Sequence, residues 1–160
     1  MKEFTEKEIM YKAEAYCSLA EHCLSEVQTK LQQWGLPAGQ EEKVLQYLLH
    51  EKYIDEQRYS KAFVRDKYRF NQWGRIKIIQ ALRLKRILPE YISCALDEID
   101  CEEYFSILSD LLCSKNKSVK ARNAYERKGK LIRFALGRGY EMGEVLECLR
   151  KQGLGDVNLE

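Results

Sequence analysis

The sequence predicts an all-α protein, built as an elongated tandem array of three three-helix repeats. Only 2 prolines and 9 glycines occur among the 160 residues, so long regular elements are allowed. The abundant Leu, Lys, Glu and Arg residues favour helix over strand. No segment shows the sustained apolar and polar alternation, bounded by turn residues, that identifies a strand. Three groups of three helices share one pattern of apolar positions, and this pattern predicts the tandem array.

Nine helices follow from the start and stop signals along the chain. Thr5 and Glu8 form a capping box that opens the first helix, and Ser25 opens the second. Pro89 suits the first turn of the sixth, and Asp100 opens the seventh. The nine helices are expected to begin near residues 5, 25, 40, 55, 75, 89, 101, 124 and 142. Glycines are expected to end three of them, namely Gly35, then Gly137 or Gly139, then Gly153 with Gly155.

Two further expectations concern helix faces and ends. The fourth helix is expected to place its apolar residues on one face, namely Tyr59, Ala62, Phe63 and Phe70. The seventh helix is expected to end near Cys113. The basic segment 115–122 lacks helical periodicity, so we expect a loop there.

The three groups share apolar residues at offsets of 0, 4, 9 and 18 positions. The three sets are Val27, Leu31, Leu36 and Leu45; Ile78, Leu82, Ile87 and Leu96; and Leu131, Ala135, Tyr140 and Leu149. The residue just before the third position of each set is Gly35, Arg86 or Gly139. A glycine at this place can adopt a left-handed backbone conformation at little cost. The predicted repeats span residues 1–53, 54–100 and 101–160. Because each such unit contacts mainly its neighbours, an elongated shape is expected.

The charged residues are distributed in blocks of opposite sign, although the formal net charge is only +2. Residues 52–88 contain eleven basic and three acidic side chains, and residues 115–138 contain nine basic and one acidic. Residues 89–114 between them contain seven acidic side chains and no basic ones. Positive blocks of this kind attract polyanions such as nucleic acid, or acidic protein surfaces.

The chain lacks the motifs of the common enzyme classes. It has no phosphate-binding glycine loop, no nucleophile elbow and no zinc-protease helix, so we expect neither an enzyme nor a cofactor. The six cysteines are not spaced as metal ligands, and reduced thiols without a metal are expected. The first eight residues do not resemble a signal peptide, and no apolar run is long enough to cross a membrane. We therefore expect a soluble, cytoplasmic protein without a membrane partner.

Nine basic residues are the candidate contacts to a partner or to DNA. Four are spaced by three or four positions along the fourth helix, which places them on one face. Four others surround the Ile/Leu face of the fifth helix, and one lies in the last basic block. The nine residues are Arg58, Lys61, Arg65, Arg69, Arg75, Lys77, Arg83, Lys85 and Arg133. Such residues neutralise phosphates or pair with carboxylates, and the alternative is a solvated charged face. The aromatic residues beside them either stack on bases or pack in the core, namely Tyr68, Phe70 and Trp73.

Motifs in all three repeats resemble those of the RecX family of RecA regulators. In the second repeat these are Tyr53-Ile54-Asp55-Glu56 with Arg58-Tyr59-Ser60 and Phe63-Val64-Arg65, then Gly74-Arg75-Ile76 with Leu82 and Lys85-Arg86-Ile87. In the first they are Ser25-Glu26-Val27, Leu31 and Gly35-Leu36, and in the third Lys130, Arg133-Phe134 and Arg138-Gly139-Tyr140. The resemblance spans about residues 8–150. The sequence departs from the family pattern where Arg86 replaces a glycine, Ser60 an alanine, Gly137 an arginine and Ala135 a leucine.

The resemblance implies three tandem three-helix units and a non-enzymatic role in homologous recombination, DNA repair and the SOS response. Members of the family lie in the groove of the RecA–single-stranded DNA filament and bridge neighbouring protomers. They restrain its ATPase, strand-exchange and coprotease activities. The implied partner is the RecA filament, with single-stranded DNA contacted weakly or through the filament, and the chain is expected to be a monomer. Two alternatives are a helical DNA-binding transcriptional repressor and a passive scaffold for an acidic partner.

Overall fold

Nine α-helices account for most of residues 3–154, the part of the chain that the computed structural model describes. Their bounds are α1 Glu6–Leu19, α2 Leu24–Gln33, α3 Glu41–His50, α4 Glu56–Arg69, α5 Arg75–Leu84, α6 Pro89–Asp97, α7 Cys101–Ser118, α8 Ala124–Gly137 and α9 Met142–Lys151. One turn of 3-10 helix, Ala38–Gln40, precedes α3. No strand occurs in this part of the chain, so the all-α prediction is confirmed. Gly155, predicted to help end α9, lies outside the described residues.

Several helices begin where a capping side chain satisfies one of the first backbone N–H groups. The Thr5 hydroxyl accepts a hydrogen bond from the N–H of Glu8 at 3.1 Å, as predicted. Asp100 caps α7 in the same way, also as predicted. Asn123 caps α8 by the same geometry, although its side chain was not among the predicted caps. Local sequence therefore sets the start of these three helices.

The prediction that Ser25 opens α2 is wrong. The helix begins at Leu24, and its N-cap residue is Cys23. The backbone N–H of Cys23 donates to the Glu26 carboxylate at 3.3 Å. The Ser25 hydroxyl instead donates to the carbonyl of Lys85 at 2.9 Å. Ser25 thus satisfies a carbonyl just beyond the end of α5, which the helix itself leaves unpaired.

Helix α7 is longer than predicted, because it continues past Cys113 to Ser118. The first half of segment 115–122 is therefore helical, and the prediction of a loop there is wrong. Two lysines lie in the last turn of α7, where positive side chains interact favourably with the carbonyl end of the helix dipole. The Lys115 ammonium also lies over the Phe134 ring, 4.9 Å from its centroid. These contacts favour a helical end that apolar periodicity does not indicate.

The buried face of α4 differs from the predicted one. Tyr59 is buried as expected, but Phe70 is 78% exposed. Phe70 lies just past the end of α4, and its N–H still donates to the carbonyl of Asp66 at 2.9 Å. The buried line instead continues through every fourth residue, namely Ser60, Val64 and Tyr68. The buried hydroxyl of Ser60 is satisfied, because it donates to the carbonyl of Glu56 at 2.7 Å.

Helices α2, α5 and α8 end in the same hydrogen-bonded turn. In each, the N–H of the residue two positions past the helix cap donates to the carbonyl five residues earlier. The three bonds run from Leu36 to Leu31 at 3.0 Å, from Ile87 to Leu82 at 3.1 Å and from Tyr140 to Ala135 at 3.2 Å. The residues just before these donors have left-handed backbones, with φ of 86° at Gly35, 63° at Arg86 and 99° at Gly139. This is the Schellman motif. It accounts for the shared offsets of 4 and 9, and eleven of the twelve repeat positions are buried, Leu96 being half-buried.

The chain forms two compact units. The first comprises Met1–Ala62 and Leu82–Ala95, and the second comprises Phe63–Ala81 and Leu96–Glu160. In the first unit the core of the first three helices contains Ile9, Ala13, Cys17, Val27, Leu31, Leu36, Val44, Leu45, Leu48 and Ile54. In the second unit the largest fully buried side chains include Tyr104, Leu108, Leu112, Leu131, Tyr140 and Leu149. Helices of the predicted middle repeat contribute to both units, and the repeat boundaries at 53 and 100 stay a prediction.

In the second unit, the turn after α8 contacts the start of α5 through two glycines. The N–H of Gly74 donates to the carbonyl of Arg138 at 2.7 Å, and the N–H of Ile76 donates to the carbonyl of Gly139 at 3.0 Å. A Cβ atom on Gly74 would lie 2.2 Å from the carbonyl carbon of Gly139. A Cβ atom on Gly139 would lie 2.5 Å from the Cβ of Lys77. Neither position has space for a side chain.

A half-buried carboxylate, Glu26, gathers polar groups in the first unit. Its oxygens lie 2.9 Å from the Lys85 ammonium and 3.0 Å from Nδ1 of His22. Burial alone would raise the pKa of Glu26, but hydrogen bonds from Lys85, His22 and the backbone of Cys23 outweigh it. The pKa of Glu26 therefore lies below its ordinary value. The ionised carboxylate links the start of α2 to the end of α5.

Three further features of the described residues bear on a membrane span, a metal site and a disulfide. Within residues 3–154, no helix has both the length and the apolar character that a bilayer span requires. The same residues contain no group of three or more His, Cys, Asp or Glu side chains placed to hold a metal ion. The six cysteines are free thiols, of which Cys17, Cys23 and Cys148 are buried. Burial raises the pKa of Cys17 to about 11, so its thiol is protonated at neutral pH.

The substitution Arg86→Gly is expected to stabilise the protein. A left-handed backbone costs a residue with a side chain about 1 kcal/mol, and the greater freedom of glycine in the unfolded chain offsets part of the gain. We expect a net increase of roughly 0.5 kcal/mol in the free energy of unfolding, measured in urea. Arg86→Ala is the control, because it removes the side chain and keeps the backbone strain. Equal stability of the two variants would contradict this interpretation.

Gly139→Ala is expected to destabilise the protein by more than about 3 kcal/mol, because it combines a left-handed backbone with a clash against Lys77. Gly35→Ala is the matched variant. Its backbone is also left-handed, but nothing lies within 4 Å of the added Cβ, so we expect a loss of only about 1 kcal/mol. Urea midpoints at equal m-values give the comparison. Similar losses in both variants would argue against a tight contact at Gly139.

Glu26→Gln is expected to lower stability at neutral pH by about 1 kcal/mol, the order of one charge-assisted hydrogen bond. Because folding lowers the pKa of Glu26, its carboxylate stabilises the fold above its unfolded pKa of about 4.3. That contribution disappears as the pH falls through the lower folded pKa. The difference between wild type and Glu26→Gln should therefore shrink between about pH 6 and pH 3. Glu42→Gln, at an exposed position of α3, controls for net charge, and a pH-independent difference at Glu26 would refute the linkage.

Candidate functional site

Four of the nine candidate basic residues belong to the first unit, namely Arg58, Lys61, Arg83 and Lys85. Arg58 is held by its own unit. Its Nε lies 2.6 Å from the Glu21 carboxylate, and its Nη2 donates to the carbonyl of Lys52 at 3.1 Å. The side chain stays 43% exposed. Arg58 therefore fixes the turn before α4 and still presents one edge to an external anion. Lys61 is half-buried on the same helix.

The end of α5 is the most available positive surface of the first unit. Lys85 is paired with Glu26 at 2.9 Å. Arg83 and Arg86 are exposed, and within residues 3–154 neither side chain has an ion-pair partner. Leu84 between them is 85% exposed. Two available guanidinium groups beside an exposed apolar residue suit a protein or nucleic-acid contact.

The remaining five candidates belong to the second unit, namely Arg65, Arg69, Arg75, Lys77 and Arg133. Arg65 is exposed, and its ion pair is with the adjacent Asp66 at 3.8 Å. Arg69 pairs with Glu103 at 2.9 Å. The Tyr68 hydroxyl donates to the same carboxylate, and these two hydrogen bonds lower the pKa of Glu103. Arg65 is thus available, whereas Arg69 is already balanced by a carboxylate.

Arg75 is a structural residue rather than an exposed contact. Its Nη1 lies 2.5 Å from the Glu144 carboxylate, and its side chain is 23% exposed. Its guanidinium lies over the Tyr104 ring, 4.1 Å from the centroid, and its backbone N–H donates to the Tyr104 hydroxyl at 3.0 Å. Burial raises the pKa of Tyr104, so this hydroxyl stays protonated and can donate to Glu144 at 3.3 Å. Arg75 therefore joins α5 to α7 and α9.

The aromatic residues beside the basic stripe have different environments. Tyr68 is buried, so the core alternative holds for it. Trp73 is half-buried, with the ammonium groups of Lys67 and Lys77 at 4.7 Å and 4.6 Å from its ring. Phe70 is exposed. Of these three residues, Phe70 is therefore the one placed to stack on a base.

The last basic block also separates into structural and available residues. Arg127 Nη1 donates to the carbonyl and the side chain of Asn116 at 2.9 Å and 3.0 Å, which fixes the connection between α7 and α8. Arg138 Nη1 donates to the carbonyl of Asn71 at 3.0 Å. Arg133 is exposed on α8, and within the described residues it has no ion-pair partner. Of this block, only Arg133 had been predicted as a contact.

Ion pairs with carboxylates of the chain itself determine which of the nine predicted residues can still contact a partner. Arg65, Arg83 and Arg133 are the most available, whereas Arg75 is the least. Arg86 belongs with the available group, and the set of nine omitted it. The signal that could have found it was in the sequence, because a charged residue at a turn position usually held by glycine must project from the backbone end of a helix. The sequence allows Phe70 either to stack on a base or to pack in the core, and helical periodicity does not distinguish the two.

Two family models match the chain. The model of the second three-helix domain of RecX matches residues 55–96, and that of the third matches residues 102–149. The chain is 30% identical over 137 residues to the regulatory protein RecX of Pelodictyon phaeoclathratiforme, covering 82% of this chain and 81% of the relative. It is 29% identical over 132 residues to that of Vibrio parahaemolyticus, covering 82% and 83%. It spans 60% and 58% of two longer relatives of the same name.

A solved structure has the same fold. The crystal structure of a regulatory protein RecX superimposes with a TM-score of 0.79 at 22% identity, covering 94% of this chain and 81% of that one. The two matched family segments coincide with α4–α6 and α7–α9. The relatives are named regulatory proteins, which agrees with the prediction of a regulator rather than an enzyme. By its matched domains and its relatives, this chain belongs to the RecX family of regulatory proteins.

Proposed function

We propose that this chain regulates a RecA-type recombinase by binding the filament that the recombinase forms on single-stranded DNA. Membership of the RecX family carries the proposal, since its members are named regulatory proteins. In this proposal the chain lies in the filament groove as a monomer and restrains ATP hydrolysis, strand exchange and coprotease activity. It acts in recombination and the SOS response, inside the cytoplasm.

The available arginines suggest how such binding would work. Each unit has exposed guanidinium groups, with Arg83 and Arg86 in the first and Arg65 and Arg133 in the second. Guanidinium groups form paired hydrogen bonds with phosphates and carboxylates, the two anions that a protein–DNA filament offers. Each exposed contact is individually weak. Several contacts carried on one chain reinforce one another through effective concentration.

All nine predicted residues stay candidates for this contact, but with unequal roles. Arg65, Arg83 and Arg133 would bind the filament directly. Arg58, Arg69 and Lys85 are balanced by carboxylates and would add weaker contacts at their exposed edges. Arg75 would act through the fold. Lys61 and Lys77 are half-buried and complete the positive surface. Phe70 would stack on an exposed base of the single strand.

The first experiment titrates this chain into ATP hydrolysis by the cognate recombinase on single-stranded DNA. Hydrolysis should fall at well below one chain per recombinase, and inhibition should weaken as salt increases, because the contacts replace counterions. Unchanged hydrolysis up to an excess of the chain, at low salt and with limiting DNA, would overturn the proposal. A defined footprint on duplex DNA without recombinase would then favour the transcriptional repressor, and no effect in either assay would favour the scaffold.

The triple variant Arg65→Ala, Arg83→Ala and Arg133→Ala tests the assigned contacts. We expect the concentration for half-inhibition to rise by about ten-fold or more, since each substitution removes one charged contact with the filament. Thermal unfolding should be nearly unchanged, because these side chains are exposed. Lys43→Ala, at an exposed position of α3 outside the positive blocks, is the control and should inhibit like wild type. Arg75→Ala should lose stability instead, and equal inhibition by the triple variant would refute the assignment.

A further inference from the structure

A groove of about 560 Å³ lies between α8 and α9 in the second unit. Its apolar lining includes Ile132 from α8 and Met142 and Leu146 from α9. Met142 and Leu146 are substantially exposed, and Tyr125 at the edge is 73% exposed. Two residues four apart on α9 present one apolar face, as a helix does when it packs against a partner. The groove thus exposes side chains that usually lie inside a protein.

The edge of this groove is positive. Arg122, Lys128 and Arg133 line it, and Glu126 is its acidic lining residue. Glu126 is balanced within the fold, since it pairs with Arg122 at 2.8 Å and with Lys130 at 3.4 Å. A hydrogen bond from Arg122, opposed by burial and assisted by one from Lys130, lowers the pKa of Glu126. The carboxylate stays ionised and paired, and the surrounding charge is positive.

One residue at the groove, Gly129 of α8, has no side chain. Gly129 lines the groove and stands within the helix, where glycine is disfavoured. A Cβ atom placed there would meet the Arg133 guanidinium at 3.7 Å, an ordinary contact. The fold therefore does not require glycine at this position. A longer side chain at residue 129 would occupy the space between the two helices.

The lining distinguishes between two classes of occupant. Surfaces that bind single-stranded nucleic acid use a series of aromatic rings on which successive bases stack. This groove has one such ring, Tyr125, and its other apolar side chains are the aliphatic Ile132 and Leu146 and the thioether Met142. Aliphatic and methionine side chains between two helices suit apolar side chains of a peptide, as in other helical grooves. The basic edge requires acidic residues beside those apolar side chains.

We propose that this groove docks a short acidic peptide segment of a partner protein. One or two large apolar side chains of the segment enter between Ile132, Met142 and Leu146. A flanking carboxylate pairs with Arg133, and Arg122, which already pairs with Glu126, adds a weaker attraction. This contact shares Arg133 with the filament contacts proposed above, but its test is made without the filament and does not depend on them.

The test measures fluorescence anisotropy of a labelled peptide of about twelve residues, with two leucines one helical turn apart and flanking glutamates. The full chain is titrated without recombinase or DNA, so the result is independent of the proposed filament function. Saturable binding is expected, and Gly129→Met and Arg133→Glu should each weaken it by about ten-fold or more. Gly137→Met is the matched control. Gly137 also belongs to α8 and has open space around it, but it does not line the groove.

Two further probes decide the chemistry. The same peptide with lysines in place of glutamates should bind at least about ten-fold more weakly. An oligothymidylate of about twelve nucleotides should not compete for the groove. Binding of the acidic peptide that Gly129→Met leaves unchanged would overturn the proposal, as would absence of saturable binding. Oligothymidylate binding that Gly129→Met abolishes would reassign the groove to nucleic acid. Circular dichroism of each variant confirms that the helices are retained.

Discussion

The left-handed turn after α2, α5 and α8 is the constraint on which the helical arrangement depends. One backbone angle of the opposite sign lets the chain leave a helix while its next N–H still satisfies a helical carbonyl. This turn fixes the direction of the first apolar residue after the helix relative to the apolar residue five positions earlier inside it. The relation holds for Leu36 and Leu31, Ile87 and Leu82, and Tyr140 and Ala135, although their side chains differ. At Arg86 the turn favours glycine only because of the left-handed backbone conformation. At Gly139 the constraint is also steric, because the same turn approaches Gly74 without space for a Cβ atom.

Most of the fold could be predicted because it is encoded locally. A helix start depends on a capping side chain that accepts a hydrogen bond from the backbone N–H three residues later. The sequence therefore predicts the Thr5 and Asp100 caps correctly. The errors are long-range. Ser25 makes its hydrogen bond with a residue sixty positions away, and α7 extends where Lys115 meets a ring of α8. The burial of Phe70 was predicted wrongly because a periodic pattern does not state which of two neighbouring lines of a helix packs inward, and in α4 that line runs through Val64 and Tyr68.

The candidate site could be predicted less well, since charge is visible in a sequence and pairing is not. Arg58, Arg69 and Arg75 are balanced by Glu21, Glu103 and Glu144, which lie far away along the chain. Helical periodicity placed all three arginines on an outer surface. Whether such a residue meets a partner or holds two helices together depends on tertiary contacts. The groove between α8 and α9 depends on them too, because its lining comes from two separate stretches, residues 122–133 and 142–146.

The lysines beside Trp73 have an optical consequence. The chain contains 2 tryptophans, with Trp73 in the second unit and Trp34 in the first. Lys67 and Lys77 both place a positive charge near the Trp73 indole, and emission from an indole responds to the local field. An incoming anion that draws either ammonium group away changes the colour and yield of that one chromophore. Trp34 has a different neighbour, Lys12, so the protein contains one intrinsic fluorescent reporter for each unit.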